Sequence, residues 1–548
     1  MPIRPLKLVV RASMIAGCFT LAAALLMGQS GSSQPTHVFF HVVVDSSIPA
    51  PVSGRLLIFL KQGSGDKEVS TSEFHLQDTW VAAEEVHDLA PGSAVEVDAD
   101  QFAFPKAFSA LTAGTYEAQA VLDVGHNYNY KERVPQDWIS AVALLAGWKP
   151  GTGAEPVLTL DRHPQEDAAR AAAFAKLKEA ATADVAQLEE FESPLLSRFW
   201  GHPVKIRAWV ILPPTYGTHA TEIYPTAYWT HGFGGDLDGG LVSGLRIYER
   251  MKQAKMPPMI WVMLDESIAQ GTHEFADSVN NGPWGAALTT EFIPHLESKY
   301  RMDAKVTGRL LNGHSSGGWA TLQLQVNYPK VFGGTWSTSP DPSDFHDFTN
   351  IDLYAANANA YRRADGSAIP VFRDHDKVVA TFEQFARLEN VIGPYGGQMA
   401  SFEWVFSPKG PSGAPLEMFD RQTGQVHPEV VAYWHDHYDL AHIATATWGE
   451  RGADLRGRIH LIVGTADTFY LDGAAHKFEA VLTGLGGDPH FTYLPDRTHF
   501  DLYMVDKDRY ALFDKIGAEM YAVARPGANW KAAEAPKAKA KKGSKKTQ

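Results

Sequence analysis

The pentapeptide Gly313-His314-Ser315-Ser316-Gly317 fits the pattern G-x-S-x-G. A serine hydroxyl attacks an acyl carbon only when a base takes its proton and nearby donors stabilise the oxyanion that forms. With 47 glycines in the chain the pentapeptide alone is weak, so its setting carries the argument. A strand pattern from Val306 to Asn312 precedes it, and a helical pattern over Gly318 to Asn327 follows. Strand, sharp turn and helix are what present a nucleophilic serine at the top of a parallel sheet, and the tight turn demands small neighbours. The helix N-terminus also favours negative charge forming beside the serine oxygen. Only Ser315 satisfies the spacing, because a nucleophile at Ser316 would need glycine at 314, where histidine stands.

The partners are sought downstream, in the order serine, acid, histidine. Histidine occurs 22 times, so position has to decide. His499 lies in P-D-R-T-H-F, just after the last short strand pattern, where loops carry functional groups. His476 falls inside a helical pattern and His490 begins a strand. The acid is expected after the strand 458–463, and Gly464-Thr465-Ala466-Asp467 places Asp467 at its C-terminal end, where open α/β sheets put their ligands. Asp472 is the reserve, with a helix-capping role as its plainer reading. An oxyanion hole needs backbone N–H groups, and the Gly-rich run Thr230-His231-Gly232-Phe233-Gly234-Gly235 follows a strand. Phe233 N–H and Ser316 N–H are the expected donors. His231 precedes the serine and reads as a shaping residue of that loop. His435 and His437 in W-H-D-H, with His442, imitate a metal cluster, but a polar helix or loop face is the preferred reading. No G-x-G-x-x-G follows a strand and no Walker loop occurs, so neither a cofactor nor a metal is expected.

These residues need a scaffold. From about Ser193 the pattern alternates between strands (204–212, 225–230, 259–264, 306–312, 458–463, 491–494) and helices, which predicts a mostly parallel sheet covered on both faces. Upstream, residues 37–160 read as short strands separated by Gly, Pro, Ser and Asp, predicting a β-sandwich-like accessory domain without evident chemistry. The Ala-rich stretch 164–190 reads as a helix, so 161–192 is taken as a helical linker. The catalytic domain is then 193–525, with a long insertion at 339–456.

The ends read differently. Arg4, Lys7 and Arg11 precede the uncharged apolar run 12–27, followed by small residues, which predicts a signal peptide over 1–30, too short for a comfortable membrane span. Ile15-Ala16-Gly17-Cys18 also resembles a lipobox, yet most of the apolar run follows Cys18, whereas a lipobox closes it. Cys18 is the only cysteine, so the processed chain would hold no disulfide, thiolate zinc site or cysteine nucleophile. The tail 526–548 is Lys- and Ala-rich and reads as disordered. Both ends are basic while the whole chain carries −14, so the body between them is strongly acidic and nucleic acid is not expected as a partner. The expected location is periplasmic or extracellular.

With these motifs in view the chain resembles the esterase D and feruloyl-esterase-like family of α/β-hydrolases, and among them large exported bacterial members. The resemblance runs from about Ser193 to Tyr510. It rests on S-P-L-L-S-R-F-W-G (Ser193 to Gly201), V-I-L-P-P-T-Y (Val210 to Tyr216), Y-P-T-A-Y-W-T-H-G-F-G-G (Tyr224 to Gly235), G-H-S-S-G-G-W (Gly313 to Trp319), G-T-A-D-T-F-Y-L (Gly464 to Leu471) and P-D-R-T-H (Pro495 to His499). It implies an α/β-hydrolase fold with Ser315, Asp467 and His499 as catalytic triad, and a small-molecule or carbohydrate ester as substrate. The same fold also carries acyltransferases, and a non-catalytic surface-binding protein on this scaffold is the third possibility. The chain departs from the family's pattern in its long insertion, so a substrate does not carry over from smaller relatives.

Overall fold

The computed structural model describes residues 37–532 apart from 73, 128–132, 166–167, 394–396 and 529. The expected signal peptide, Cys18, and the tail beyond 532 lie outside the described residues.

The N-terminal part is all β. Its strands are β1 (Phe39–Val44), β2 (Val52–Gln62), β3 (Thr79–Leu89), β4 (Ala94–Asp98), β5 (Ala103–Phe104), β6 (Gly114–Asp123), β7 (Trp138–Ser140), β8 (Ala143–Trp148) and β9 (Val157–Arg162). The expectation was a sandwich of two sheets. Instead the nine strands are hydrogen-bonded into one sheet of order β4-β1-β9-β7-β6-β2-β3-β5, with β8 also on β6. Side chains along a strand alternate between faces. In β2, Leu56, Ile58 and Leu60 therefore share a core with Phe40 and Val42 of β1 and Leu158 and Leu160 of β9. Leu57 and Phe59 point the other way, into a second core that belongs mostly to the insertion. Each such fully buried side chain is worth roughly 1.5–3 kcal/mol, so β2 ties the accessory sheet to the rest of the molecule.

The stretch expected as one long helix divides. Only α1 (Ala168–Ala180) is helical, and β10 (Ala186–Glu192) is a strand paired antiparallel with β11 (Lys205–Ile211). The Ala and Glu content favours a helix locally. Ala186 and Glu189 are buried while Leu188 remains exposed, so pairing with β11 overrides helix propensity. Residues 186–192 are therefore an edge strand of the catalytic sheet and not linker.

After α2 (Pro194–Trp200) and β11 come β12 (Thr226–Thr230), α3 (Leu237–Lys252) and β13 (Ile260–Leu264). Two small hairpins follow, β14 (Ser267–Ile268) with β15 (Gly271–Thr272), and β16 (Asp277–Ser278) with β17 (Gly282–Pro283). Helices α4 (Trp284–Ala287) and α5 (Ile293–Lys299), joined by a π turn, lead to β18 (Arg309–His314), α6 (Ser316–Asn327) and β19 (Gly334–Thr338). The insertion then contributes the hairpin β20 (Pro370–Asp374) and β21 (Lys377–Thr381), then α7 (Phe382–Ile392), α8 (Gln398–Phe406), α9 (Pro428–Tyr438) and α10 (Leu440–Leu455). The chain returns through β22 (Ile459–Gly464), α11 (Leu471–Gly484), β23 (His490–Leu494) and α12 (Ala511–Ala524).

The catalytic sheet has eight strands in the order β10-β11-β13-β12-β18-β19-β22-β23. All neighbours from β13 to β23 are parallel, and β11 runs antiparallel to both β10 and β13. Every residue of β12, β13 and β19 is buried, as strands covered on both faces require. Val210, Val262 and Leu311 pack on one face, and Ile211, Met263 and Leu310 on the other. The insertion builds its own aromatic core, with Phe345, Phe348, Phe402, Phe406 and Trp434 in mutual contact.

Candidate active site

Ser315 sits between the end of β18 and the start of α6, with φ 60° and ψ −128°. A non-glycine residue at positive φ is strained and persists only where its surroundings hold it. Here the Ser315 N–H donates to Thr338 O at 3.0 Å, and Asp341 N–H donates to Ser315 O at 3.3 Å. Gly317 is a required glycine, because a Cβ there would run into the carbonyl of His231. The loop after β12 comes as close from the other side. A Cβ on Gly232 would lie 2.8 Å from Ser315 Cβ and 2.9 Å from His314 O.

Asp467 and His499 meet at the C-terminal ends of β22 and β23. His499 Nδ1 bonds Asp467 Oδ2 at 3.0 Å, and the two are 4% and 0% exposed. The other oxygen, Oδ1, accepts the N–H groups of Phe469 at 3.0 Å and Leu471 at 3.4 Å. Burial pushes the Asp467 carboxyl up, but the charge and hydrogen bond of His499 outweigh it and hold it below the usual carboxylate range. Asp472 is set apart from His499: it lies in the first turn of α11 and pairs with Arg373 Nη2 at 2.8 Å. The Phe469 and Phe500 rings stand roughly perpendicular to that of His499, with centroids 4.7 and 5.3 Å away. His314 lies 4.4 Å from His499, ring to ring, and burial with the neighbouring imidazole pushes its pKa down to about 3. It therefore stays neutral and does not compete as a base. Among the described residues no hydrogen bond joins Ser315 Oγ to His499, and bonds of this kind commonly tighten only when substrate binds.

Neither the Phe233 N–H nor the Ser316 N–H donates within the protein, among the described residues. Ser316 opens α6, where helical N–H groups are unsatisfied. His231 is buried and bonds Asp265 at 3.2 Å through Nε2 and Gly232 O at 2.9 Å through Nδ1. Burial opposes its protonation, but the Asp265 hydrogen bond raises its pKa overall. It therefore buttresses the loop, as its position before the serine suggested.

The W-H-D-H cluster divides. His435, Asp436 and His442 bring ligand atoms within 4.8 Å of one another, while His437 turns to Tyr433 O at 2.8 Å. His476 stacks on Tyr493.

Sequence reasoning missed three acids around the site. Asp341 follows β19 and accepts the Ser316 hydroxyl at 2.6 Å; burial pushes its carboxyl up to about 6. Its position beyond a strand's C-terminal end is the same signal that identified Asp467. Glu266 and Glu274 are fully buried between β13 and α4; burial pushes Glu266 up to about 8 and Glu274 well above its ordinary value. Nothing in the local sequence distinguishes them from surface carboxylates.

The strand order, the strained serine between β18 and α6, and the buried acid–histidine pair at the C-terminal ends of β22 and β23 define an α/β-hydrolase. Residues 202–484 match the family described as Putative esterase, more than half of the chain, and the protein belongs to that family. The match includes Ser315 and Asp467 and stops short of His499. Esterase Rv1288 and Esterase MT1326, both of Mycobacterium tuberculosis, are each 30% identical over 162 residues, 29% of this chain. The aligned stretch spans about a third of those relatives, 34% of their length. Similar solved structures include a ferulic acid esterase (15% identity, 62% of this chain and 98% of that one, TM-score 0.39). Another is an S-formylglutathione hydrolase from Agrobacterium tumefaciens (13%, 62% and 94%, TM-score 0.34). The fold assignment rests on the strand order and the family match.

Proposed function

We propose that this protein is a serine esterase that cleaves carboxylic esters through a covalent acyl-enzyme. The observation that carries the reading is the buried His499–Asp467 pair at 3.0 Å beside a serine held at positive φ. With Nδ1 bound to Asp467, His499 keeps Nε2 for the serine. Nε2 takes the Ser315 proton as Oγ bonds to the acyl carbon, and the electrons of the carbonyl move to its oxygen. Phe233 N–H and Ser316 N–H receive that oxyanion. The ester C–O bond then breaks, and His499 returns the proton to the departing alcohol. Water repeats the sequence to free the acid. Asp467 holds the imidazole tautomer and stabilises the imidazolium.

The substrate in this reading is a small-molecule or carbohydrate ester. The chain is read as exported on its N-terminal segment, which N-terminal sequencing of secreted protein tests. Among the described residues no helix is long and apolar enough to cross a membrane. The catalytic test is p-nitrophenyl acetate hydrolysis by the wild type and by Ser315→Ala, with added alcohols to separate hydrolysis from transfer. Free acid as the main product and loss of turnover in the variant are expected. Equal turnover by both proteins refutes the assignment, and a dominant new ester with modest alcohol identifies a transferase.

A further inference from the structure

We propose that the N-terminal β domain and the insertion hairpin together form an alcohol-side subsite beside His499, selecting esters with a bulky, uncharged ring-bearing alcohol. The proposal rests on the esterase reading and deepens it. A cleft of about 640 Å³ lies where three parts of the chain meet. The β2–β3 loop of the accessory domain supplies Phe74 and Leu76, the β20–β21 hairpin supplies Val378, and the loops after β22 and β23 supply Thr468, Thr498 and Phe500. Thr468 directly follows Asp467, and Thr498 and Phe500 flank His499. This volume suits a ring-sized ligand, being within the range of small-molecule sites.

Its walls mix the apolar side chains of Phe74, Leu76, Val378, Val379 and Phe500 with polar and charged ones, and it opens to solvent. Phe500 is 65% exposed and Val378 is 50% exposed, although both line a concavity. Exposed apolar side chains gathered in a cleft mark a binding surface more often than a bare fold needs. The Phe74 ring meets Phe500 edge-on at 5.4 Å and packs at 5.9 Å from Phe372 of the hairpin. Aromatic contacts thus run from the accessory domain to the two rings that touch His499. His75, Gln77, Asp78, Asp374, Lys377 and Gln384 line the same cleft with hydrogen-bonding groups, charges of both signs among them. Aromatic and aliphatic side chains interleaved with hydrogen-bonding groups of both signs fit a neutral ring carrying hydroxyl groups better than a long alkyl chain or a strong anion.

The three walls are fixed to one another. Arg373 of β20 donates its backbone N–H to Thr468 O at 2.9 Å and its Nε–H to Asp467 O at 2.8 Å. Arg55 of β2 donates to Val391 O of α7 at 3.0 Å. The cleft is therefore built into the fold. The mechanism assigns its side, because His499 hands its proton to the leaving alcohol while the carbonyl oxygen faces the opposite loop at Phe233. The group lying past His499 is the alcohol.

The test uses two acetate esters with a common acyl group, ethyl acetate, whose alcohol carries no ring, and a monoacetate of a phenyl glycoside, on the full chain. The readout is the ratio of their kcat/KM values, with kcat and KM separated. Phe74→Ala is expected to shift that ratio against the glycoside ester by about tenfold, mostly through KM, and Phe74→Tyr to recover most of it. Val378→Ser, on the opposite wall and already exposed, gives the same direction if Phe74→Ala fails to fold. An unchanged ratio in folded Phe74→Ala and Val378→Ser overturns the proposal. Ser315→Ala separates the two readings: hydrolysis that survives it refutes the esterase site itself, whatever the ratio does.

Discussion

Replacing Asp467 by asparagine is the sharpest perturbation of the site, because the structure says what each atom of the new side chain would do. Oδ1 can continue to accept the N–H groups of Phe469 and Leu471, so the loop keeps its shape. The amide NH2 then stands where Oδ2 met His499 Nδ1 at 3.0 Å. A donor facing Nδ1 makes that nitrogen an acceptor and forces the ring proton onto Nε2, the atom that must receive the Ser315 proton. Loss of the correct tautomer and of the buried carboxylate that stabilises the imidazolium is expected to lower kcat on the order of 10⁴-fold, about 5.5 kcal/mol of barrier. Asp341→Asn is the control. Its carboxyl binds the Ser316 hydroxyl and not His499, and an amide oxygen accepts that bond equally well, so a loss under about tenfold is expected. The assay is kcat and KM for p-nitrophenyl acetate at pH 7.5, with melting curves for both variants. A loss for Asp341→Asn as deep as that for Asp467→Asn, at matched stability, would refute the assignment of the acid.

Three further outcomes follow from the same geometry. Gly232→Ala places a methyl group 2.8 Å from Ser315 Cβ, so the loop carrying Phe233 must move, and kcat should fall by about 10²–10³ while the protein stays folded; near-normal turnover would mean the loop is not the oxyanion wall. Glu266 is held protonated, at about 8 against an unfolded value of about 4.3, so its contribution to stability declines as pH rises through that window, by up to about 1.4 kcal/mol per unit. Glu266→Gln should therefore gain on the wild type in denaturant titrations from pH 5 to 8, and a pH-independent gap between them would contradict this. Arg373→Ala removes the side-chain ties from the hairpin to Asp467 O and Asp472 while the backbone bond to Thr468 O stays, costing about 1–3 kcal/mol of stability with a fall in kcat, and Arg373→Lys should recover only part because lysine lacks the fork; full recovery by lysine would show that charge alone matters.

The site was more legible in the sequence than the architecture around it. Ser315, Asp467 and His499 each stand within a few residues of a strand's C-terminal end, and the strands announce themselves as short apolar runs. Strand ends are local features, so one sequence reveals them. Asp341 stands in the same place beyond β19, but Gly-Thr-Trp-Ser-Thr holds too few apolar residues to announce a strand, so the end that marks Asp341 was not legible. Glu266 and Glu274 could not be read, since burial comes from distant packing and leaves no mark on the residues beside them. β10 was hidden because Ala and Glu favour helices locally, and only the antiparallel partner β11 makes residues 186–192 a strand. The accessory sheet's single path, its tie to α7 through Arg55 and the core that Leu57 and Phe59 share with the insertion depend on contacts hundreds of residues apart. The cleft at Phe74 is therefore a property of assembly, although all its lining residues were visible from the start.

The central claim is that Ser315 is a nucleophile activated by His499. Treating the folded protein with a fluorophosphonate and mapping the adduct by peptide mass spectrometry tests it without any assumption about substrate. Stoichiometric labelling confined to Ser315, lost in Ser315→Ala and strongly slowed in His499→Ala, is the predicted result. Folded wild-type protein that stays unlabelled at Ser315, or labels there at the same rate without His499, would contradict it.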